Sequence, residues 1–266
     1  MFSHSSSQEP GQPTVPLAGP EWAHFLPGHA KILCIVPALN EEHTVAAVIA
    51  DIHTSAVEAD IVVVDDGSRD DTTTAALACG VSVVRSPFNM GIGGAVQAGM
   101  ICADEGGYRF AVQVDGDGQH LAAEIQNLVN AQRETGANVV IGSRFLSEST
   151  FRSSVARRGG MRFLSALVSL LAGQRFTDTT SGFRLYDRRA IELLSMDYPE
   201  DYPEVEAILF LRRAGLRVVE THVEMRERQD GRSSITPLRS IYYMAKVTLA
   251  LLVESIRFES SWGGKR

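Results

Sequence analysis

An apolar run that ends in two aspartates, Arg109-Phe-Ala-Val-Gln-Val-Asp-Gly-Asp-Gly-Gln-His120, limits what this chain can fold into more than any other stretch. The climb to Asp115 reads as a strand buried on both faces, as in a parallel sheet covered by helices. Gly116 and Gly118 then break it. Asp115 and Asp117 are thereby delivered to the C-terminal edge of the strand, where open α/β sheets gather their ligands. In extended backbone the two carboxylates leave from one face. They repel each other unless a cation lies between them. A hard divalent ion bridging to phosphate oxygens answers that repulsion, with Gln119 offering a further neutral oxygen. The plainer alternative is a turn in which Asp and Gly supply only loop chemistry.

The same design recurs upstream. Lys31-Ile-Leu-Cys-Ile-Val-Pro37 is a short apolar strand ended by proline, and Val45, Val48, Ile49 and Ile52 follow at helical spacing. Asn40 is placed to cap that helix, with Glu41 and Glu42 in its first turn, and a ligand role stands beside the capping one. Asp60-Ile-Val-Val-Val-Asp-Asp66 is a second strand ending in acids. Asp65 and Asp66 point to opposite faces there, so one suits a nucleobase or ribose while the other orders the loop. Val81–Val84 makes a third strand, giving β-α-β-α-β. Asn89-Met-Gly-Ile-Gly-Gly-Ala-Val-Gln-Ala-Gly99 is a glycine-rich turn opening a helix, which suits a phosphate or, equally, tight helix–sheet packing. Its Gly-x-Gly-Gly spacing and its place after the third strand are wrong for a dinucleotide fingerprint, and a dehydrogenase is excluded on that ground.

Downstream, Leu121, Ile125, Leu128 and Val129 form one helix face, and Asn138-Val-Val-Ile-Gly-Ser-Arg144 is a strand carrying Arg144 to the edge that holds Asp117. The planar guanidinium there can grip a phosphate, or else form an outward ion pair. Arg152, Arg157, Arg158 and Arg162 precede or open a helix over 155–172 whose Phe163, Leu164, Leu167, Val168 and Leu171 share a face. A basic amphipathic segment of this kind suits a membrane interface, and a core-packing helix with a solvated basic start is the alternative. Pro199–Glu206 caps a helix running to Arg213, and Arg217–Glu220 is a strand. Residues 236–266 hold a last amphipathic helix that docks on the domain or lies on a surface.

Composition narrows the function classes. The net charge of −7 argues against a nucleic-acid partner. Cys34, Cys79 and Cys102 have neither paired spacing nor nearby His clusters, which fits buried thiols in a reducing compartment. No apolar run is long enough to span a membrane and the N-terminus has no apolar signal core, so a cytoplasmic protein is expected. Residues 1–29, rich in Ser, Pro, Gly and Gln, read as a flexible tail before a domain over 30–235. Self-association into a homo-oligomer is left open.

Seven of these stretches, in this order, resemble the family-2 glycosyltransferases, nearest the dolichol-phosphate mannosyltransferase-like enzymes that load a sugar onto a polyprenyl phosphate. They are Val36-Pro-Ala-Leu-Asn-Glu41, Val64-Asp-Asp-Gly-Ser68, Asn89-Met-Gly-Ile-Gly93, Asp115-Gly-Asp-Gly-Gln-His120, Gly142-Ser-Arg144, Asp178-Thr-Thr-Ser-Gly-Phe-Arg184 and Arg228-Gln-Asp-Gly-Arg-Ser233. The resemblance implies a GT-A fold: a Rossmann-like, mostly parallel sheet with helices on both faces. It also implies a UDP- or GDP-linked sugar donor, a polyprenyl-phosphate acceptor, Mg²⁺ or Mn²⁺, and peripheral contact with the inner membrane face. Carried over by position, Pro37, Asn40, Glu41 and Asp66 would line base and ribose, and Asp115 would sit by ribose and diphosphate. Asp117 and Gln119, with Asp115, would take the metal. Arg144 would hold phosphate, and Arg228 with Ser233 would close over donor and acceptor. Two departures stand out: Ser234 occupies the place of the family's lysine, with Arg232 beside it, and the transmembrane helices of many relatives are missing. A hydroxyl acceptor would instead demand a base, for which Asp201, Glu204 and Glu206 are the candidates beside a capping and solvation role. A non-catalytic nucleotide-sugar-binding partner of a membrane protein is the remaining reading, and the Asp115, Asp117, Gln119 and Arg144 set speaks against it.

Overall fold

Alternation within the apolar runs decides the architecture, because every central strand has to bury both its faces. The computed structural model describes residues 30–146, 155–199, 202–226 and 246–248, the side chains of 155–158 excepted. Strands β1 (Ile32–Ala38), β2 (Asp60–Asp65), β3 (Ser82–Arg85), β4 (Phe110–Gln113), β5 (Val139–Ser143), β6 (Arg184–Asp187) and β7 (Val218–His222) form one sheet in the order β3-β2-β1-β4-β6-β5-β7. Only β6 runs against its neighbours, pairing antiparallel with β4 and β5, while β1–β2, β1–β4, β2–β3 and β5–β7 are parallel. This is the expected mostly parallel sheet.

In β1, Leu33 and Ile35 face one core while Cys34 and Val36 face the other. Helices α1 (Val45–Thr54), α2 (Thr72–Ala78) and α4 (Ile125–Thr135) cover the Cys34 side. Helices α3 (Gly91–Glu105), α5 (Val155–Ala172), α6 (Arg188–Met196) and α7 (Pro203–Arg213) cover the other. Cys34 and Cys102 are buried, and burial pushes both thiols up to about 12, which leaves them inert.

The glycine-rich turn does open α3, and Gly99 shows why small residues are needed along it. A Cβ there would lie 2.2 Å from Cγ2 of Ile35, so helix and strand touch backbone to side chain. Gly99→Ala is therefore expected to destabilise the protein by about 1–3 kcal/mol, despite alanine's better helix propensity, and denaturant unfolding will measure it.

One helix departs from expectation. In α5, Leu164 and Val168 enter the core with Leu167 and Leu171 packed against it, but Phe163 stands out at 52% exposure. Phe163 is thus not on the buried face. Near the C-terminus Val247 is fully buried in the α7 side of the core and Lys246 lies over the Tyr202 ring. The rest of the expected C-terminal helix, and the 1–29 tail, lie outside the described residues.

Candidate active site

Loops from all seven strands meet at one edge of the sheet, because β6 runs backwards and so brings its N-terminal end to the place where the others end. The loop after β1 does not form as expected. Asn40 adopts a left-handed φ of 56° and caps nothing; the N-cap of α1 is Thr44, and no acid stands in its first turn. Asn40 instead accepts from Arg69 N–H at 2.9 Å and donates its own N–H to Ser68 Oγ at 2.9 Å, which stitches the β1 loop to the β2 loop. Glu41 N–H donates to Thr72 Oγ1 at 2.8 Å, and Glu42 accepts from Asp71 N–H at 3.0 Å. Thr44 Oγ1 sits 2.7 Å from Glu41 Oε2 and 2.8 Å from the Gly116 carbonyl, while Gly116 N–H donates to the Pro37 carbonyl. Pro37, Glu41 and the aspartate loop are therefore one assembly.

Asp65 and Asp66 are both buried and both order loops. Asp65 accepts from Ser68 N–H at 2.8 Å and from the Thr73 hydroxyl. Asp66 accepts from Met90 N–H at 2.6 Å and Gly91 N–H at 2.9 Å, so its carboxylate meets the positive N-terminus of α3. Burial raises its pKa, and the two amides oppose that rise. The expected division of labour between the pair is corrected to that extent, since an amide from α3 already occupies each Asp66 oxygen. Each of those oxygens retains a second lone-pair direction for a base or ribose.

The aspartate run is also re-drawn. β4 ends at Gln113, and Asp115 to Gln119 form a turn rather than extended backbone, so strand alternation does not govern the two carboxylates. Asp115 accepts from Gln113 Nε2 at 3.0 Å and donates its N–H to His120 Nδ1 at 3.0 Å. His120 stacks on Phe183 with ring centroids 4.8 Å apart. Asp117 Oδ1 accepts from Gln119 N–H at 3.1 Å, and the Gln119 carbonyl accepts from Arg226 N–H at 2.9 Å. Gly182 is close by: a Cβ on it would come within 2.9 Å of Asp115 Oδ2. Among the described residues no three His, Cys, Asp or Glu side chains form a metal cage. The donor chemistry nonetheless fits a hard divalent ion. Two partly exposed carboxylates and the Gln119 amide are oxygen ligands that phosphate and water would complete.

Arg144 reaches this edge, held by a partner the sequence did not disclose. Its Nε and Nη2 donate to Asp178 at 2.7 and 2.8 Å, its N–H to the same carboxylate at 3.2 Å, and Nη2 also to Thr180 Oγ1 at 3.2 Å. The pair faces inward, not outward: the Asp178 side chain is wholly buried and that of Arg144 14% exposed. Burial alone would lower the arginine's pKa; the Asp178 bonds and charge, with a further share from Asp115, raise it overall. Arg184 is fully buried and donates to the carbonyls of Ser181, Thr179 and Glu204, tying the 178–182 loop to the start of α7. Glu204 and Glu206 stand in the first turn of α7, Glu204 half-buried and Glu206 buried rather than solvated. Burial raises the Glu204 carboxyl, the Arg184 charge opposes that rise, and the Asp115 charge adds to it. Asp201, Arg228 and Ser233 lie outside the described residues.

Comparison with known proteins agrees with this architecture. The family model "Glycosyl transferase family 2" matches residues 33–194. A polyprenol monophosphomannose synthase of Mycolicibacterium smegmatis is 31% identical over 77% of this chain and 81% of its own length. An undecaprenyl-phosphate mannosyltransferase of Micrococcus luteus is 29% identical over 77% of this chain and 88% of its own. Among solved structures, glucosyl-3-phosphoglycerate synthase from Mycobacterium tuberculosis, in complex with Mn²⁺, UDP and phosphoglyceric acid, superposes with a TM-score of 0.62 at 20% identity. That match covers 85% of this chain and 78% of that one, and it is a likeness of GT-A fold.

Proposed function

This chain belongs to glycosyl transferase family 2 and is a nucleotide-sugar-dependent glycosyltransferase, and from that premise we propose that it transfers a sugar from UDP or GDP to a polyprenyl phosphate, with inversion, at the cytoplasmic face of a membrane. The observation that carries the reading is the Arg144 fork, fixed by Asp178 at the same sheet edge as Asp115 and Asp117. A donor diphosphate and an acceptor phosphate are both anions, and a rigid guanidinium beside a cation-seeking carboxylate pair is what aligns them. Asp117, Asp115 and Gln119 would hold Mg²⁺ or Mn²⁺, which when bound supplies neutralisation of the departing nucleoside diphosphate. By their places in the motifs, Pro37, Asn40, Glu41 and Asp66 would serve base and ribose, and Arg228 with Ser233, which lie outside the described residues, would serve the phosphates. A lipid phosphate arrives already ionised, so the site's task is to orient it rather than to deprotonate it. The names of the two bacterial mannosyl relatives support that acceptor.

Membrane contact fits α5. Phe163 and Leu170, at 52% and 78% exposure, lie seven residues apart on one helix face, next to the exposed Arg162. Among the described residues no helix is long and apolar enough to cross a membrane.

One observation favours a second reading. Glu204 sits in the same electrostatic neighbourhood as Asp115 with its carboxyl raised by burial, which suits a general base for a hydroxyl acceptor. A single assay separates the two: transfer of radiolabelled sugar from UDP- and GDP-sugars, with Mg²⁺ or Mn²⁺, into short-chain polyprenyl phosphate. Label is expected in the lipid, and Glu204→Gln is expected to keep the rate within about tenfold, where loss of a general base would lower it by about 10²–10⁴. Donor turnover with no label in lipid would overturn the phosphate acceptor.

A further inference from the structure

Glu220 lies on β7, outside every motif that points to the site, yet its carboxylate is spent entirely on the loop that holds Arg144. It accepts from Asp178 N–H at 2.7 Å, from Thr177 N–H at 2.8 and 2.9 Å to its two oxygens, and from Thr177 Oγ1 at 3.0 Å. Ser143 Oγ lies 2.7 Å from Thr177 Oγ1 and accepts from Phe145 N–H at 3.2 Å. An ionised carboxylate only accepts, so each hydroxyl in this line has one direction to point. Phe145 N–H donates to Ser143, Ser143 to Thr177, and Thr177 to Glu220.

That chain starts on the two residues flanking Arg144, Phe145 and Ser143, and ends on Glu220, while Asp178, oriented by Glu220 through its backbone, takes the guanidinium itself. β5 and β7 are paired, with Ile141 opposite Glu220 and Ser143 opposite His222, so the carboxylate is built into the sheet rather than carried on a loop. Burial disfavours a charge at this position, and the neighbouring Asp178 disfavours it further. A half-buried carboxylate sustained there by three donors, one of them the Thr177 N–H shared between both oxygens, does more than solvate a strand.

We propose that Glu220 is the positioning residue for Arg144: through Thr177, Ser143 and the Asp178 backbone it fixes the angle at which the guanidinium meets the donor's diphosphate. The inference rests on the reading of Arg144 as a phosphate-holding group, and the test keeps the two apart. Glu220→Gln keeps size but replaces one acceptor oxygen by a donor, which opposes Thr177 N–H and reverses the hydroxyl line. It leaves Asp178 and Arg144 in the chain.

Titration calorimetry with UDP, UMP, GDP and GMP at fixed Mn²⁺, on wild type, Arg144→Lys, Glu220→Gln and the double variant, decides the matter. Arg144→Lys is expected to weaken the preferred nucleoside diphosphate about tenfold and its monophosphate by less than about twofold. Glu220→Gln is expected to reproduce that split, and the double variant to be no weaker than Arg144→Lys alone. If Arg144→Lys leaves the diphosphate unaffected, the phosphate reading itself fails and the proposal with it. If Arg144→Lys weakens it while Glu220→Gln does not, the reading stands and the proposal is overturned. Equal losses for mono- and diphosphate in Glu220→Gln, adding to those of Arg144→Lys, would mark a merely structural role and overturn it too. Should Glu220→Gln not fold, Thr177→Val answers the same question, since it cuts the hydroxyl line at nearly constant volume and leaves the backbone bonds to Glu220.

Discussion

Replacing Asp117 by asparagine is expected to slow sugar transfer by about a hundredfold or more while leaving the fold intact. The amide matches the carboxylate in size, and its oxygen can still accept the Gln119 N–H that now donates to Asp117 Oδ1 at 3.1 Å, so the turn has no reason to open. What disappears is one of two negative charges standing at the same sheet edge. The other charge, on Asp115, remains: it helps hold the Arg144 guanidinium in its charged form and accepts a bond from the Gln113 amide. A hard divalent ion held at this edge would lose one of its charged oxygen ligands. The metal concentration for half-maximal rate should therefore rise together with the fall in rate, and the melting temperature should change by no more than a surface substitution does, within about 0.5 kcal/mol of stability. Initial rates across a Mn²⁺ series, with a thermal melt of the same sample, give both readouts. An asparagine variant with wild-type rate and metal dependence would remove Asp117 from the metal site.

The fold was legible wherever burial on both faces forces a continuous apolar run. β1, β2 and β5 fall within about a residue of their expected ends because such a run has no other stable use in a chain of this polarity. β6 escaped notice because only Leu185 and Tyr186 of Arg184–Asp187 are apolar, and a strand's membership in the middle of a sheet is decided by partners far away in sequence. The same holds within the site. Asp115, Asp117 and Arg144 announce themselves as acids or a base at a strand's end. What each carboxylate and guanidinium touches does not announce itself. Asn40 is a good cap by residue type, yet its backbone is left-handed within the loop and the helix begins only at Val45, after Thr44. Asp66 offered its charge to a ligand on the page of the sequence, yet the nearest positive end of a dipole belonged to α3. Glu220 had no signal at all beyond being an acid in a short strand; only the pairing of β7 with β5 brings it to Thr177 and Asp178.

Asp178→Ala is the substitution expected to do most harm to stability. The Asp178 side chain is wholly buried and takes three bonds from Arg144, one through the backbone N–H and two through the guanidinium, besides one from Thr180 Oγ1 at 3.2 Å. Removing one partner of a buried ion pair leaves the other charge desolvated and uncompensated, which costs about 3–5 kcal/mol. Two features place this pair at the lower end. Arg144 retains 14% exposure and can turn toward water, and deleting Asp178 relieves the repulsion that it exerts on Glu220. About 3 kcal/mol then corresponds, for a domain of this size, to a fall in melting temperature of about 6–12 °C. Asp178→Asn keeps the shape and one acceptor oxygen, and should lose roughly half as much, because the bonds to a charged donor survive in part. Transfer should fall in both variants, since a guanidinium without its fork partner samples orientations that do not meet the donor. Denaturant unfolding of the two proteins beside wild type measures the effect. A loss below about 1 kcal/mol for Asp178→Ala would show that the loop is ordered by Glu220 and Arg184 and that the ion pair merely occupies space within it.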